Sequence, residues 1–107
     1  MNDGIQHIVL TPGSDPEVRH NTLGYSEVVA IVGYPIEVVN VEGRAVLYHS
    51  TSNEGQPENE AAMKIAGPAL GTEKVVGTAL LSGPLGPGGV DTTLPDEVRD
   101  QMLEALS

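Results

Sequence analysis

The sequence predicts an α+β domain: a small, mainly antiparallel sheet with one or two helices packed on it, and a C-terminal helix. The chain has 107 residues, the length of one domain. It contains no Phe and no Trp, so Val, Ile, Leu, Ala and three Tyr must fill the core. β-Branched Val and Ile suit the half-buried surface of a sheet. Two apolar runs around a central Glu-Gly predict a hairpin, and an apolar stripe in the tail predicts the last helix.

The first third of the chain predicts two strands and a helix. Ile5–Leu10 is mostly apolar and is followed by Pro12-Gly13, which predicts a strand that ends at a turn. A second, short strand is predicted through Val18. The helix is predicted to be capped at Asn21-Thr22 and to end at Gly33, because these residue types favour the two ends of helices. Its apolar residues have helical spacing: Tyr25, Val28, Val29 and Val32.

Residues 35–49, "PIEVVNVEGRAVLYH", form the clearest local unit and predict a β-hairpin. A two-residue turn at Glu42-Gly43 would pair Val41 with Arg44. By the same register, Val39 would pair with Val46, and Glu37 with Tyr48. The more apolar surface of this hairpin is predicted to face the core, and it carries Ile36, Val38, Asn40, Ala45, Leu47 and His49.

A polar loop from about Ser50 to Pro57 follows the hairpin. A short helix is predicted next, through Ala61, Ala62, Met63 and Ile65, and it ends at Gly67-Pro68. Glu73–Leu81 is predicted to be a buried strand. Its central Gly77 indicates a bulge or a close approach of another backbone.

The tail predicts a linker and a separate helix. Residues 82–89, "SGPLGPGG", suit neither a helix nor a central strand. After them, Pro95 suits a first helical turn, and Leu94, Val98, Met102 and Leu106 form an apolar stripe at four-residue spacing. The predicted organisation is an α+β domain at 1–82, a Gly/Pro-rich linker at 83–93 and a C-terminal helix at 94–107. Such a linker allows the stripe to pack on its own domain or on a second chain, so a homodimer or higher oligomer is predicted.

Charge and composition narrow the classes of function. Fifteen acids against five bases give a net charge of −10, which disfavours direct binding to nucleic acid or to anionic membranes. The charge either keeps a small protein in solution or imitates a nucleic-acid backbone. The absence of Cys excludes disulfides and thiol nucleophiles. No apolar run is long enough to span a bilayer, and the N-terminus lacks the basic start of a signal peptide, so a cytoplasmic protein is expected.

No motif predicts catalysis. The chain has no phosphate-binding GxxxxGK[ST] loop and no GxSxG elbow. His7, His20 and His49 do not have metal-ligand spacing, and the two that fall in predicted strands are expected to be satisfied core or edge residues. The carboxylates show no paired arrangement across a cleft. The sequence therefore predicts a protein that is not an enzyme and that has no metal or cofactor.

The polar loop supplies the candidate binding residues, which are Asn53, Gly55, Gln56, Pro57 and Asn59, with Tyr48 from the hairpin beside it. In the simpler interpretation, Gly55 and Pro57 shape a turn and the two Asn side chains bond their own backbone. In the functional interpretation, the amides line a polar pocket. Amides carry both donors and an acceptor, and so suit neutral ligands such as nucleobases. Tyr48 can serve a ligand by stacking or the core as an amphipathic edge.

A series of short motifs spans roughly residues 5–82: Pro12-Gly13, Val32-Gly33-Tyr34, Ile36–Val39, Asn53-Glu54, Gly55–Asn59 and Val75–Thr78. This series resembles a family of small uncharacterised proteins, a domain of unknown function found mostly in bacteriophages and on bacterial plasmids. Gln56 replaces the leucine of this family, and Glu60 replaces a common arginine, so an anion-binding role of the loop would be lost here. The resemblance implies an accessory protein of a phage or mobile element in the bacterial host cytoplasm. It implies no reaction.

Three hypotheses for function follow. The first is a non-enzymatic accessory protein that binds and modulates a bacterial host factor, such as a defence component. The second is a protein that binds and sequesters a nucleotide-like small molecule through the loop at 53–59. The third is an acidic mimic of nucleic acid, which requires its acids to lie on one surface.

Overall fold

The computed structural model describes residues 4–21, 23–52, 55–70, 74–84 and 92–106. These residues form five strands, three α-helices and one 3₁₀ turn. In chain order they are β1 (Ile5–Leu10), β2 (Glu17–Asn21), α1 (Tyr25–Val32), β3 (Ile36–Val41), β4 (Ala45–Ser50), α2 (Glu60–Ala66), the 3₁₀ turn (Gly67–Leu70), β5 (Ala79–Ser82) and α3 (Asp96–Leu106). The strands form one antiparallel sheet in the order β2-β1-β5-β4-β3. The predicted α+β class is confirmed.

The start of α1 differs from the prediction. Asn21 pairs with Ile5 as the last residue of β2, because the sheet extends further than the turn residues suggested. Asn21 therefore does not cap the helix, and Thr22 lies outside the described residues. The cap is Gly24, whose N–H donates to Glu27 Oε1 at 2.8 Å. The predicted end at Gly33 is confirmed: its φ is 97° and its N–H donates to the Val29 carbonyl at 2.8 Å.

The hairpin of β3 and β4 has the predicted turn, but its register is shifted by one residue. Glu42 and Gly43 have positive φ angles of 56° and 73°, and the Arg44 N–H donates to the Val41 carbonyl at 3.0 Å. This is the two-residue turn expected at Glu-Gly. Arg44 is an extra residue between the turn and the strand, so Val41 pairs with Ala45. The three predicted pairings are therefore wrong.

The shift changes which side chains of the hairpin share a face. Because side chains alternate along strands, Val39 and Val41 lie on the same face as Ala45 and Leu47. The core surface predicted for β3 is wrong, since Val38 and Asn40 are exposed. Every residue of β4 is buried, because this strand lies inside the sheet and both of its faces are covered.

The two faces of the sheet carry two separate apolar clusters. The larger, here called the main core, joins the sheet to α2, the 3₁₀ turn and α3. Its buried residues are Ile8, Leu10, Val39, Val41, Ala45, Leu47, Ala62, Ala66, Leu70, Val75, Ala79, Leu81, Leu94 and Met102. The smaller, here called the α1 core, lies on the opposite face and consists of Leu23, Val28, Val32, Val46, Tyr48 and Leu80. Among the described helices, α1 is the one whose residues belong to the α1 core.

The strand predicted over Glu73–Leu81 is shorter, since β5 begins only at Ala79. Gly77 interrupts it with a φ of 79°, a conformation that glycine adopts without steric cost. Its N–H donates to the Pro57 carbonyl at 2.9 Å, which is the close backbone approach that the sequence indicated. Before it, Val76 forms a single bridge with Glu58.

The tail helix docks on its own chain through Gln6 of β1. The Gln6 carbonyl accepts from the Leu94 N–H at 2.8 Å, and Gln6 Nε2 donates to the Leu94 carbonyl at 2.6 Å and to Asp96 Oδ1 at 3.0 Å. Gln6 Oε1 accepts from Arg99 Nη1 at 2.9 Å and bonds His20 Nε2 at 2.8 Å. Gln6 is buried, so these bonds occupy all of its side-chain polar atoms. Residues 85–91 of the predicted linker lie outside the described residues.

Within the described residues, no helix is both long enough and apolar enough to cross a bilayer.

The prediction that His49 is a core or edge histidine with satisfied hydrogen bonds is wrong. His49 lies in β4 and is only 3% exposed, yet neither ring nitrogen has a hydrogen-bond partner among the described residues. His7 is equally buried at 1% exposure, but its Nδ1 lies 2.7 Å from the Ile5 carbonyl. An unsatisfied buried polar atom loses its bonds to water without replacement, so His49 reduces the stability of the fold.

We expect His49→Leu to raise the free energy of unfolding by about 1 to 2 kcal/mol, because it removes two unsatisfied buried nitrogens at similar volume. His7→Leu is the matched control and is expected to lower it, because it removes a bonded group. Urea denaturation of the two variants and the wild type measures both changes. Equal destabilisation by both substitutions would show that His49 is satisfied in solution.

Candidate functional site

The predicted binding loop is described from Gly55 onward, and Asn53 lies outside the described residues. Gly55 has a φ of 86°, so it supplies the left-handed turn expected of it. Gln56 and Pro57 are exposed. The segment then passes Gly77, bonds it through the Pro57 carbonyl, and enters α2 at Asn59.

Asn59 joins three parts of the chain and is completely buried. Its Nδ2 donates to the Leu10 carbonyl at 2.8 Å and to the Gly77 carbonyl at 2.9 Å. Its Oδ1 accepts from the Ala62 N–H at 3.0 Å and so caps α2. Its backbone N–H donates to the Val75 carbonyl at 2.7 Å. Both donors of the amide and its oxygen are occupied, so Asn59 acts inside the fold and its side chain does not face a ligand.

A concave surface of about 370 Å³ lies between the β1–β2 turn and the start of α2, and we call it the turn groove. Asn59 forms its buried floor, and Glu58 and Glu60 lie exposed at its rim. Lys74 Nζ forms an ion pair with Glu58 Oε2 at 3.0 Å, whereas Glu60 makes no ion pair with a described residue. The rim therefore carries one uncompensated acid, Glu60. The lining residues of the groove are Thr11, Pro12, Gly13, Ser14, Pro57, Glu58, Asn59, Glu60 and Ala61.

The other candidate loop residues do not converge on the turn groove. Gln56 lines a separate hollow of about 240 Å³ at the C-terminal end of α1, together with Gly33 and Thr78. Tyr48 lies in the α1 core and is 8% exposed, so it supports the interpretation as an amphipathic core residue. The structure thus brings Pro57 and Asn59 together and leaves Gln56 and Tyr48 elsewhere.

The stripe of the tail helix packs within the chain. Leu94 and Met102 belong to the main core, and Val98 and Leu106 are partly buried against it. The exposed side of α3 is polar and carries Asp96, Glu97, Asp100 and Glu104. Self-association through the stripe stays a prediction, as does the homodimer or higher oligomer.

Charge is the dominant chemical property of the described surface. Every described Asp and Glu is exposed. Four of the five basic residues are neutralised by ion pairs within the chain: Arg19 with Glu17, Arg44 with Glu42, Lys74 with Glu58, and Arg99 with Asp96 and Asp100. The hydrogen bond that Arg19 donates to Glu17, helped by their opposite charges, lowers the pKa of that carboxyl. Most of the negative charge is therefore left without a compensating base.

The acids do not gather into a metal site: in the part of the chain that the structure describes, no group of three or more His, Asp or Glu could hold an ion. Sequence reasoning missed the partner of the loop in the turn groove, which is the β1–β2 turn. It also missed Gln6 as the docking residue of the tail. Both contacts join positions far apart in the chain, 49 residues from Leu10 to Asn59 and 88 from Gln6 to Leu94, and no local pattern marks them.

No protein-family model, curated protein or solved structure matches this chain. The resemblance to the phage and plasmid family therefore stays a prediction.

Proposed function

We propose that this chain is a non-enzymatic accessory protein of a bacteriophage or mobile element. In this proposal it acts in the bacterial host cytoplasm, where it binds and modulates a host protein through its negatively charged surface. The partner presents a positively charged surface, such as one that binds nucleic acid or another polyanion. A defence component is the kind of host factor that the predicted genetic setting favours.

One observation carries this proposal: the described acids all face solvent while most bases are already paired within the chain. These acids are not buried in the fold, and the exposed ion pairs that some of them form add little to its stability. A negative surface field raises the rate at which a positive partner is captured and suppresses binding to acidic ones. The charge is thus better explained by recognition or by solubility than by folding, and we propose recognition.

The turn groove gives this surface a concave feature. Glu60 at its rim forms no ion pair with a described residue and suits a lysine or arginine side chain of a partner. On the opposite end of the chain, Asp96, Asp100 and Glu104 follow one another at four-residue spacing on the exposed side of α3. Arg99 forms ion pairs with Asp96 and Asp100, so this row keeps only part of its negative charge. We retain the third hypothesis, a mimic of nucleic acid, as a special case of the same proposal.

The test is capture of a host protein from bacterial lysate on the immobilised chain, followed by measurement of the affinity of the purified partner at rising salt. We expect the affinity to fall steeply with salt, because exposed charges are screened beyond about 8 Å at physiological ionic strength. A triple variant, Asp15→Asn, Glu37→Gln and Glu60→Gln, should weaken binding about tenfold or more, since each lost exposed contact is worth up to about 1 kcal/mol. All three acids lack ion pairs with described residues, so the fold should be retained.

A matched control changes exposed neutral residues and leaves the charge alone, for example Asn21→Gln and Gln101→Asn. This control should bind as the wild type does. Binding that is independent of salt and equal in both variants would refute recognition by charge. Added duplex DNA distinguishes a nucleic-acid mimic from a protein that binds another positive surface of the partner. A mimic competes with DNA for the partner, whereas a protein bound elsewhere does not.

The nucleotide hypothesis required the amides of the loop to be available to a ligand. The Asn59 amide is occupied by three internal hydrogen bonds, and Gln56 lines a different hollow. The described loop therefore supports a structural role, and we propose binding of a host protein in preference to binding of a nucleotide-like small molecule.

A further inference from the structure

The outer side of β3 is an open edge of the sheet. β3 is the last strand in the order β2-β1-β5-β4-β3, and among the described residues it pairs with β4 alone. An edge strand presents unpaired N–H and C=O groups that can pair with another chain. We call this row of groups the β3 edge.

Hydrogen bonds at both ends of β3 show which residues form that edge. The Pro35 carbonyl accepts from the Thr51 N–H at 3.2 Å, and the Val41 carbonyl accepts from the Arg44 N–H at 3.0 Å. Both acceptors point toward β4, and both are odd-numbered. Because inward and outward backbone groups alternate along an antiparallel strand, the even-numbered residues of β3 direct their N–H and C=O groups outward, with Val38 at the centre.

The two edges of the sheet differ in their protection. The outer strand β2 carries Glu17 and Arg19, which form an ion pair at 3.0 Å, and charged side chains on an edge discourage the addition of a strand. The described residues show no such ion pair on β3, and its central Val38 is 50% exposed. The β3 edge is therefore the side of the sheet that is open to strand addition.

The two faces of the β3 edge have different chemistry. On the α1 side, a hollow of about 310 Å³ adjoins the strand, with the buried Val46 among its lining residues. On the other side, Glu37 is exposed and forms no ion pair with a described residue. The hollow is lined by Val38, Asn40, Gly43, Val46 and Pro84.

We propose that the β3 edge binds an extended segment of a partner protein, which adds to the sheet as a sixth strand. Side chains of that segment alternate between apolar ones, which enter the hollow beside Val38, and basic ones, which face Glu37. A second copy of this chain is the poorer occupant, because each copy carries a net charge of −10 and the copies repel each other. This inference rests on the proposed function, since it names how a positive partner is held.

The probe is a short synthetic peptide of alternating Val and Lys, titrated into the fluorescently labelled full chain. Its matched control is the same peptide with N-methyl groups on every second amide, which keeps the charge and side chains but removes backbone donors. Strand addition depends on those donors, so the control should bind at least about tenfold more weakly. This comparison uses the wild-type protein, and so does not depend on the folding of a variant.

Two protein variants locate the contact. Glu37→Gln and Glu97→Gln remove one exposed charge each, the first beside the β3 edge and the second on α3. We expect Glu37→Gln to weaken peptide binding roughly threefold and Glu97→Gln to leave it nearly unchanged. Val38→Pro removes an outward donor from the edge, a position where proline is tolerated, and should weaken binding about tenfold.

Three outcomes would overturn the inference. The first is equal binding of the methylated peptide together with equal effects of the two Glu variants. It removes strand addition but leaves recognition by charge, and so the proposed function, intact. The second is absence of binding to the Val-Lys peptide at low salt. It rejects the β3 edge, while lysate capture tests the proposed function independently. The third is a dimer, seen by light scattering, that Val38→Pro abolishes, which would assign the edge to a second copy.

Discussion

Replacing Asn59 by alanine is expected to lower the free energy of unfolding by about 3 kcal/mol, because two buried carbonyls lose their donor and α2 loses its cap. The Asn59 amide joins β1, the segment before β5 and α2 through three hydrogen bonds. A loss of this size is a large part of the total stability of a domain, which is about 5 to 15 kcal/mol. Urea or thermal denaturation measures it.

Two further variants isolate the cause of the Asn59 effect. Asn59→Asp keeps the acceptor for Ala62 but replaces the donors with a carboxylate that faces two carbonyls, so we expect it to be at least as damaging. Asn21→Ala changes an exposed asparagine and should alter stability by less than about 0.5 kcal/mol. A similarly small effect of Asn59→Ala would mean that its amide faces solvent, and would return it to the ligand-binding hypothesis.

Gly83→Ala is expected to cost about 2 to 3 kcal/mol and to loosen the tail helix. A Cβ at Gly83 would overlap the Thr93 carbonyl oxygen and lie 2.8 Å from Thr92 Oγ1. The Gly83 N–H also donates to the Thr92 carbonyl at 3.0 Å, so the two segments cannot separate without losing this bond. Hydrogen exchange of the α3 amides, measured with the unfolding curve, reports both effects.

Gly13→Ala is the control for the Gly83 substitution. Gly13 has a φ of 79°, and no described atom beyond its chain neighbours lies within 4 Å of an added Cβ, so alanine there should cost only the backbone strain of about 1 kcal/mol. In the Gly13→Ala variant, the α3 amides should exchange hydrogen at the same rates as in the wild type. If Gly83→Ala left α3 exchange unchanged, the close approach of residues 83 and 93 would be contradicted.

The architecture was predictable wherever a local pattern determines structure. The apolar run of Ile5–Leu10 gave the bounds of β1, and Gly33 marked the end of α1. The turn at Glu42-Gly43 was also correct, but the register was not, because the extra residue Arg44 is not visible in the apolar pattern. One added residue exchanges the two faces of a strand, and this is why the predicted core surface of β3 was wrong.

The candidate site was less predictable, because it depends on contacts between distant positions. The sequence singled out Asn59 correctly as important, yet its role follows from the Leu10 and Gly77 carbonyls, which only the folded chain brings together. Tyr48 lay next to the loop in sequence but belongs to the opposite face of the sheet. The charge, in contrast, was evident from composition, since charged residues are almost never buried without a partner.

Chemical-shift mapping with the captured host protein tests the central claim most directly, because it reports where the partner lies on the ¹⁵N-labelled chain. Recognition through the negative surface and the β3 edge predicts that amide perturbations concentrate in Ile36–Asn40 and beside unpaired acids, and that they diminish as salt rises. Perturbations confined to Gly55–Asn59 and insensitive to salt would contradict it. That result would return the polar loop to the role of binding site.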